Sequence, residues 1–127
     1  MIRPPLRRLL WVALAAAWLT AFISTHIPAE RVPTLPASDK LLHMATYAGL
    51  ALIYWLTLAA HPVRGLRRVG LVIASLLAYA VFDEITQPLV NRYASLADGL
   101  ADAAGAVIAV TLCEVGAWVR RRRAPGA

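Results

Sequence analysis

Apolar residues fall in four long blocks joined by short polar connections: Leu9 to Ser24, Leu41 to Ala60, Val69 to about Val90, and about Leu96 to Val119. A helix that crosses a bilayer needs ~20 largely apolar residues, within a range of about 17–25. The last three blocks have that length, and the first reaches it with residues at its ends. The pattern predicts helices over about 9–25, 41–60, 69–88 and 97–119. The expected fold is all-α, a four-helix transmembrane bundle forming one unit over residues 1–127. The first block has the basic start of a cleavable signal peptide and small residues at Ala15, Ala16 and Ala17. Those alanines are central, however, and Trp18 to Ile23 continue the run well beyond the about 7–15 residues of a signal h-region. It is expected to stay as a membrane helix.

Composition agrees with the pattern. The chain is 60% hydrophobic and 16% charged, against about 45–50% and about 25% in soluble domains. A soluble unit of this size could not hide so much apolar surface, so a disordered chain is excluded and a soluble enzyme disfavoured. The net charge of +6 suggests nucleic acid only until its arginines are placed. They form short clusters between apolar blocks, with no interleaved aromatics on which bases would stack. Such clusters set membrane topology. Met1 to Arg8 holds three arginines, His61 to Arg68 three, and Arg120 to Arg123 four, while Leu89 to Ser95 has only Arg92. In the connection from His26 to Lys40, Arg31 and Lys40 are balanced by Glu30 and Asp39. The alternation puts both termini in the cytoplasm, N-in/C-in, in a multi-pass protein of the cytoplasmic (inner) membrane. Arg120 to Arg123 are expected against anionic headgroups. The lone Cys113 gives neither a disulfide framework nor a thiol metal site.

The polar residues inside the blocks then become informative. Asp39, His43 and Tyr47 share one face of the second helix at i, i+4, i+8, with Lys40 beside them. Asp83, Glu84 and Gln87 close the third helix, which Pro88 ends. Asp98 and Asp102 open the fourth at i, i+4, followed by Gly105, Ala106 and Ala109, small enough to admit a neighbouring helix. All lie towards the outer face. An acid at mid-helix costs about 2.5–3.5 kcal/mol on the translocon scale, so such groups pair with one another or face water inside the bundle. The anions Asp83, Glu84, Asp98 and Asp102 outnumber the cations Lys40 and Arg92, with His43 as a titrating donor. A net negative pocket remains, to be relieved by a protonated acid, a charged His43 or a bound cation. Ser38 and Ser95 suit N-caps, but acids at the end of the third helix oppose its dipole and need other partners. Glu114 is expected to pair with a loop arginine at the cytoplasmic end. Trp11, Trp18, Trp55 and Trp118 read as interface anchors or packing residues, and His26 and His61 as solvated loop histidines. No metalloprotease, nucleophile-elbow or P-loop motif is present, and the sequence assigns no cofactor or metal.

The run Ser38-Asp39-Lys40-Leu41-Leu42-His43-Met44-Ala45-Thr46-Tyr47 resembles the opening signature of the VanZ-like membrane proteins, Asp-Lys-x-x-His followed by an aromatic. Glu84 and Gln87 resemble that family's Glu-x-x-Gln block. Arg92, Ser95 and Asp98 resemble its Arg-x-x-Ser-x-x-Asp, and Gly105 the glycine closing Asp-x-x-x-Asn-x-x-Gly. The resemblance spans about residues 39–109. Where the family pattern has Asn, this chain has Asp102, which adds an acid. The resemblance implies a small multi-helix inner-membrane protein of a family whose namesake is associated with lowered susceptibility to the glycopeptide teicoplanin.

Three readings follow. In the first, the outer-leaflet pocket binds an anionic envelope or lipid component, such as a lipid-linked cell-envelope precursor, through Lys40, His43 and Arg92. In the second, a membrane enzyme acts on a lipid-linked phosphate, with Glu84 or Asp102 as general base and His43 as acid. In the third, the polar residues form a purely structural network.

Overall fold

The computed structural model describes residues 4–28 and 39–123. They form α1 (Pro4–Thr25), α2 (Asp39–Ala59), α3 (Gly65–Thr86), a 3-10 segment (Gln87–Val90) and α4 (Leu96–Arg123). All four helices are long and apolar enough to cross a membrane. The shortest, α2, has 21 residues, or about 32 Å at ~1.5 Å per residue, enough for a hydrocarbon core of about 30 Å. The connection holding Glu30, Arg31 and the expected cap Ser38 lies outside the described residues, as does Arg3.

Helix ends extend beyond the apolar blocks where charged residues keep the helix going outside the hydrocarbon. α1 begins at Pro4, because proline's fixed φ suits a first turn whose N–H groups have no intrahelical partner. α4 runs on through Arg120–Arg123, cations that complement the negative end of its dipole. α2 starts at Asp39, so Asp39 and His43 do share a helix. α3 starts at Gly65, whose φ of +57° turns the chain into the helix; a side chain there would be strained. α3 ends at Thr86, and the 3-10 segment containing Pro88 stops at Asn91, which takes a left-handed φ of 59°.

α2 is central: it packs on each of the other helices and has its broadest interface with α4. Leu50, Ala51, Trp55 and Leu58 of α2 meet Val72, Leu76 and Ala80 of α3 and Ala106 and Val110 of α4. The exterior is as apolar as the core. Leu19 and Ile23 of α1, Val81 and Ile85 of α3, and Leu100 and Leu112 of α4 are each more than half exposed. Lipid tails match such a surface but give helices little reason to associate, so close packing and polar pairs must hold them together. Gly105 supplies the close packing. A Cβ built there would lie 2.1 Å from the Met44 carbonyl oxygen, so α2 and α4 cross at a separation that only glycine allows.

The alternating helices collect polar groups at one end and arginines at the other. At the basic end, Glu114 Oε1 accepts hydrogen bonds from Arg68 Nη2 (2.6 Å), Arg68 Nε (3.1 Å) and Trp55 Nε1 (2.8 Å). The Arg68 guanidinium sits 4.1 Å above the Trp55 ring. Glu114 thus pairs with an arginine as expected, though with one buried in the first turn of α3. Trp55 is buried, Trp18 packs on Tyr54 and Tyr79, and Trp11 and Trp118 stay about half exposed. The expectation of solvated loop histidines is corrected. His61 is half buried; its Nδ1–H donates to Thr57 O at 2.8 Å, while Nε2 accepts the Trp11 indole N–H at 3.4 Å. His26 lies at the polar end, against α3.

Candidate functional site

The polar end is built in two parts. The first joins α2 to α4. His43 Nδ1 donates to Asp102 Oδ1 at 3.0 Å, with His43 nearly and Asp102 wholly buried. One turn nearer the starts of the two helices, Lys40 Nζ lies 3.7 Å from Asp98 Oδ1, an ion pair too long for a hydrogen bond. Asp39, His43 and Asp98 each place a ligand-type atom within 4.8 Å of the others. The i, i+4 pairs of the two helices therefore face each other, and the Gly105–Met44 approach just below explains why they can. Both helices present their N-termini here, where the dipole favours Asp39 and Asp98.

Glu84 ties α3 into this part. Its Oε2 accepts the backbone N–H of Ser95, while Ser95 Oγ accepts the Asp98 N–H at 3.3 Å. Ser95 is thus the N-cap of α4. Glu84, reaching over from α3, takes the place that a glutamate three residues into the helix holds in a capping box. The acid at the end of α3 that its own dipole disfavours has found a partner at the start of another helix. Gly99 packs against it, its ideal Cβ position 3.9 Å from Glu84 Cγ.

The second part joins α3 to α1. Asp83, fully buried, accepts from Thr25 Oγ1 (2.7 Å) through Oδ1 and from Gln87 Nε2 (3.1 Å) through Oδ2. His26 extends the network: Nδ1 donates to Phe22 O at 2.9 Å and stands 3.6 Å from Asp83 Oδ1, and Nε2 lies 2.9 Å from Thr86 Oγ1. Between the two parts stands Tyr47, 1% exposed, its ring stacked on Tyr79 at 5.9 Å. Among the described residues, no hydrogen-bonding group meets the Tyr47 hydroxyl.

The two parts differ in how well they are satisfied. Both Asp83 oxygens are bonded. Among the described residues, Glu84 Oε1, Asp98 Oδ1 and Asp102 Oδ2 are buried without a hydrogen-bond partner. Arg92 does not join the ion pairs: it sits half buried after the 3-10 segment, its backbone N–H bonded to Gln87 O, its side chain paired with nothing among the described residues. Of the sequence's candidates, Asp39, Lys40, His43, Asp98 and Asp102 converge directly. Glu84 and Tyr47 border them, Asp83 and Gln87 turn towards α1, and Arg92 stands apart.

Thr25, His26, Thr86 and Tyr79 belong to the polar end but were not legible as such. The spacing Tyr79, Asp83, Gln87 repeats on α3 the i, i+4, i+8 spacing of Asp39, His43, Tyr47 on α2, and would have pointed to Tyr79. Beside Glu84 and Ser95 a groove of about 550 Å³ opens between α3 and α4, lined by Leu77, Ala80, Val81, Leu100 and Ala103. Comparison with known proteins adds no identity: no family model, curated protein or solved structure matches the chain.

Proposed function

We propose that the protein is a VanZ-like integral membrane protein, N-in/C-in in the cytoplasmic membrane, that binds a phosphate-bearing, lipid-linked envelope component at its polar end. The observation that carries this reading is the α3–α4 groove. It is apolar along its length and reaches Glu84 and Ser95, beside the part of the site whose polar atoms lack partners. That juxtaposition suits an amphipathic ligand, with its chain in the groove and its headgroup at the helix ends. Lys40, 62% exposed, and Arg92, whose side chain is unpaired among the described residues, are the cations this end of the bundle offers to phosphate, with His43 between α2 and α4. Asp98 holds Lys40 and Asp102 orients His43. The two N-termini add partial positive charge to the same place. A bearing on teicoplanin-type susceptibility belongs to this reading through the family resemblance alone.

The closed Asp83–Thr25–Gln87 network supports a structural role for that part, because it asks for nothing further. The test is native mass spectrometry of the purified protein with its co-purified lipids. Wild type is expected to retain a phosphate-bearing lipid that Arg92→Ala and His43→Ala lose, with Arg92→Ala keeping wild-type thermal stability. The same lipid complement on all three proteins would overturn the reading.

A further inference from the structure

The structure assigns a divalent-metal site to the polar ends of α2 and α4, with Asp39, His43 and Asp98 as ligands and Asp102 as the residue that positions the histidine. The inference goes beyond lipid binding and stands on these two helices alone. Its geometry comes first. A ring nitrogen of His43 and one carboxylate oxygen each from Asp39 and Asp98 lie within 4.8 Å of one another, and neighbouring ligands in a shell of about 2.1 Å bonds are about 3.0–3.4 Å apart. Closing on a metal needs side-chain rotations that draw these atoms together by about 1–2 Å, and Asp39 is exposed and free to make them.

The second argument is the hydrogen bond behind the histidine. His43 donates Nδ1–H to the buried Asp102 carboxylate, which leaves Nε2 as the nitrogen with a free lone pair. Metal-binding histidines are held in this way by a carboxylate that fixes the tautomer and raises the ring's basicity. An acid at position 102 does this better than an amide. The third argument is unmet demand. Among the described residues, Asp98, only 8% exposed, accepts no hydrogen bond at Oδ1 and meets only Lys40 Nζ there at 3.7 Å, and Oδ2 of the fully buried Asp102 accepts none at all. Buried carboxylate oxygens in a bundle of this kind call for a cation.

Lys40 is the cation already at hand, and its position defines its role. At 3.7 Å, with its own end 62% exposed, it forms a long pair that solvent screens from the lysine side. A metal would displace it readily. Lys40 is therefore a tethered competitor for the site. One imidazole and two carboxylates make a mixed nitrogen and oxygen set that favours Zn²⁺ or Mn²⁺ over Mg²⁺. Three protein ligands leave a further position for water or a ligand oxygen.

The test is Zn²⁺ binding to the full chain in detergent, by calorimetry and by metal analysis after dialysis, with Mg²⁺ as the comparison. Wild type is expected to take one Zn²⁺ per chain and to melt at a higher temperature with it. Asp98→Asn, at the solvent end and mild for folding, is expected to weaken binding at least tenfold. Asp102→Asn should weaken it about 10–100-fold, and Lys40→Gln should strengthen it. His26→Ala and His61→Ala should leave binding unchanged. Wild-type affinity in Asp98→Asn, weaker binding in Lys40→Gln, or no preference for Zn²⁺ over Mg²⁺ would each overturn the site. Zn²⁺ binding without a co-purified lipid would leave the site standing and remove the lipid reading. A retained lipid with no Zn²⁺ binding would do the reverse.

Discussion

Replacing Gly105 by alanine tests how the fold makes the site. In an unconstrained helix interior the change stabilises by about 1 kcal/mol, since glycine is that much poorer a helix former. At Gly105 the sign should reverse. The new Cβ would sit 2.1 Å from Met44 O, 2.9 Å from Met44 C and 3.1 Å from Met44 Cα. These are backbone atoms of a packed helix, so no side-chain rotation relieves the clash. Ordinary contact begins near 3.4 Å, so α2 and α4 must separate by the order of 1 Å at the crossing. Overpacking of this kind costs about 1–3 kcal/mol. The separation acts next on His43–Asp102, whose 3.0 Å hydrogen bond stretches beyond bonding distance and leaves a buried carboxylate alone. The expected outcome is a net loss of roughly 2–4 kcal/mol, read as a lower melting temperature in detergent. Gly116→Ala, on the same helix with nothing within 4 Å of its Cβ, should be neutral or stabilising by up to about 1 kcal/mol. If Gly105→Ala is as stable as Gly116→Ala, the close crossing does not exist and the geometry of the site falls with it.

Two further outcomes follow from the same structure. Glu114→Ala strips the buried Arg68 and the Trp55 indole of their acceptor; breaking a buried pair costs about 3–5 kcal/mol. The Glu114 side chain is a quarter exposed, which lowers the expected loss in thermal unfolding to about 2–3 kcal/mol. The double variant Arg68→Leu with Glu114→Leu should recover most of that stability, and a double variant as unstable as Glu114→Ala would show that the pair does not act as described. Orientation is open to cysteine labelling in a Cys113→Ala background. Tyr93→Cys (94% exposed) should react with a membrane-impermeant maleimide added to intact cells, and Leu66→Cys (89% exposed) should not; the opposite pattern would invert the topology.

The helices were legible because hydrocarbon imposes a length and an apolar surface that show directly in sequence. Their ends were not, because Arg7, Arg8 and Arg120–Arg123 are helical without being apolar. The α2–α4 part of the site was legible because Asp39, His43, Asp98 and Asp102 repeat at i, i+4 on helices that start at the same end. Which acid faces which helix was not. Asp83 and Glu84 are adjacent in sequence and differ by about 100° around α3, so one turns to α1 and the other to α4. Only the packing angles decide between them. His26 was hidden for a different reason: nothing in α1 signals a polar role, and its partners Asp83 and Thr86 lie far along the chain.

The two acids that close α3 show how one sequence feature divides into two roles. Both oxygens of Asp83 already accept bonds, from Thr25 and Gln87, so a ligand that sought it would have to compete with bonds within the bundle. Glu84 spends one oxygen on the start of α4 and keeps the other buried and unmet. On the α2–α4 side, Asp102 likewise keeps one oxygen without a partner among the described residues, and Asp98 has at Oδ1 only the long pair with Lys40. A fold needing polar groups only for cohesion would leave these no more open than Asp83, because an unmet buried acceptor costs about 1–3 kcal/mol. The excess lies on one side of the helix end, beside His43 and the groove mouth. The α1–α3 network and the close crossing serve cohesion, whereas the α2–α4 acids carry more unmet acceptors than cohesion requires, which is the ground on which the proposed binding roles rest.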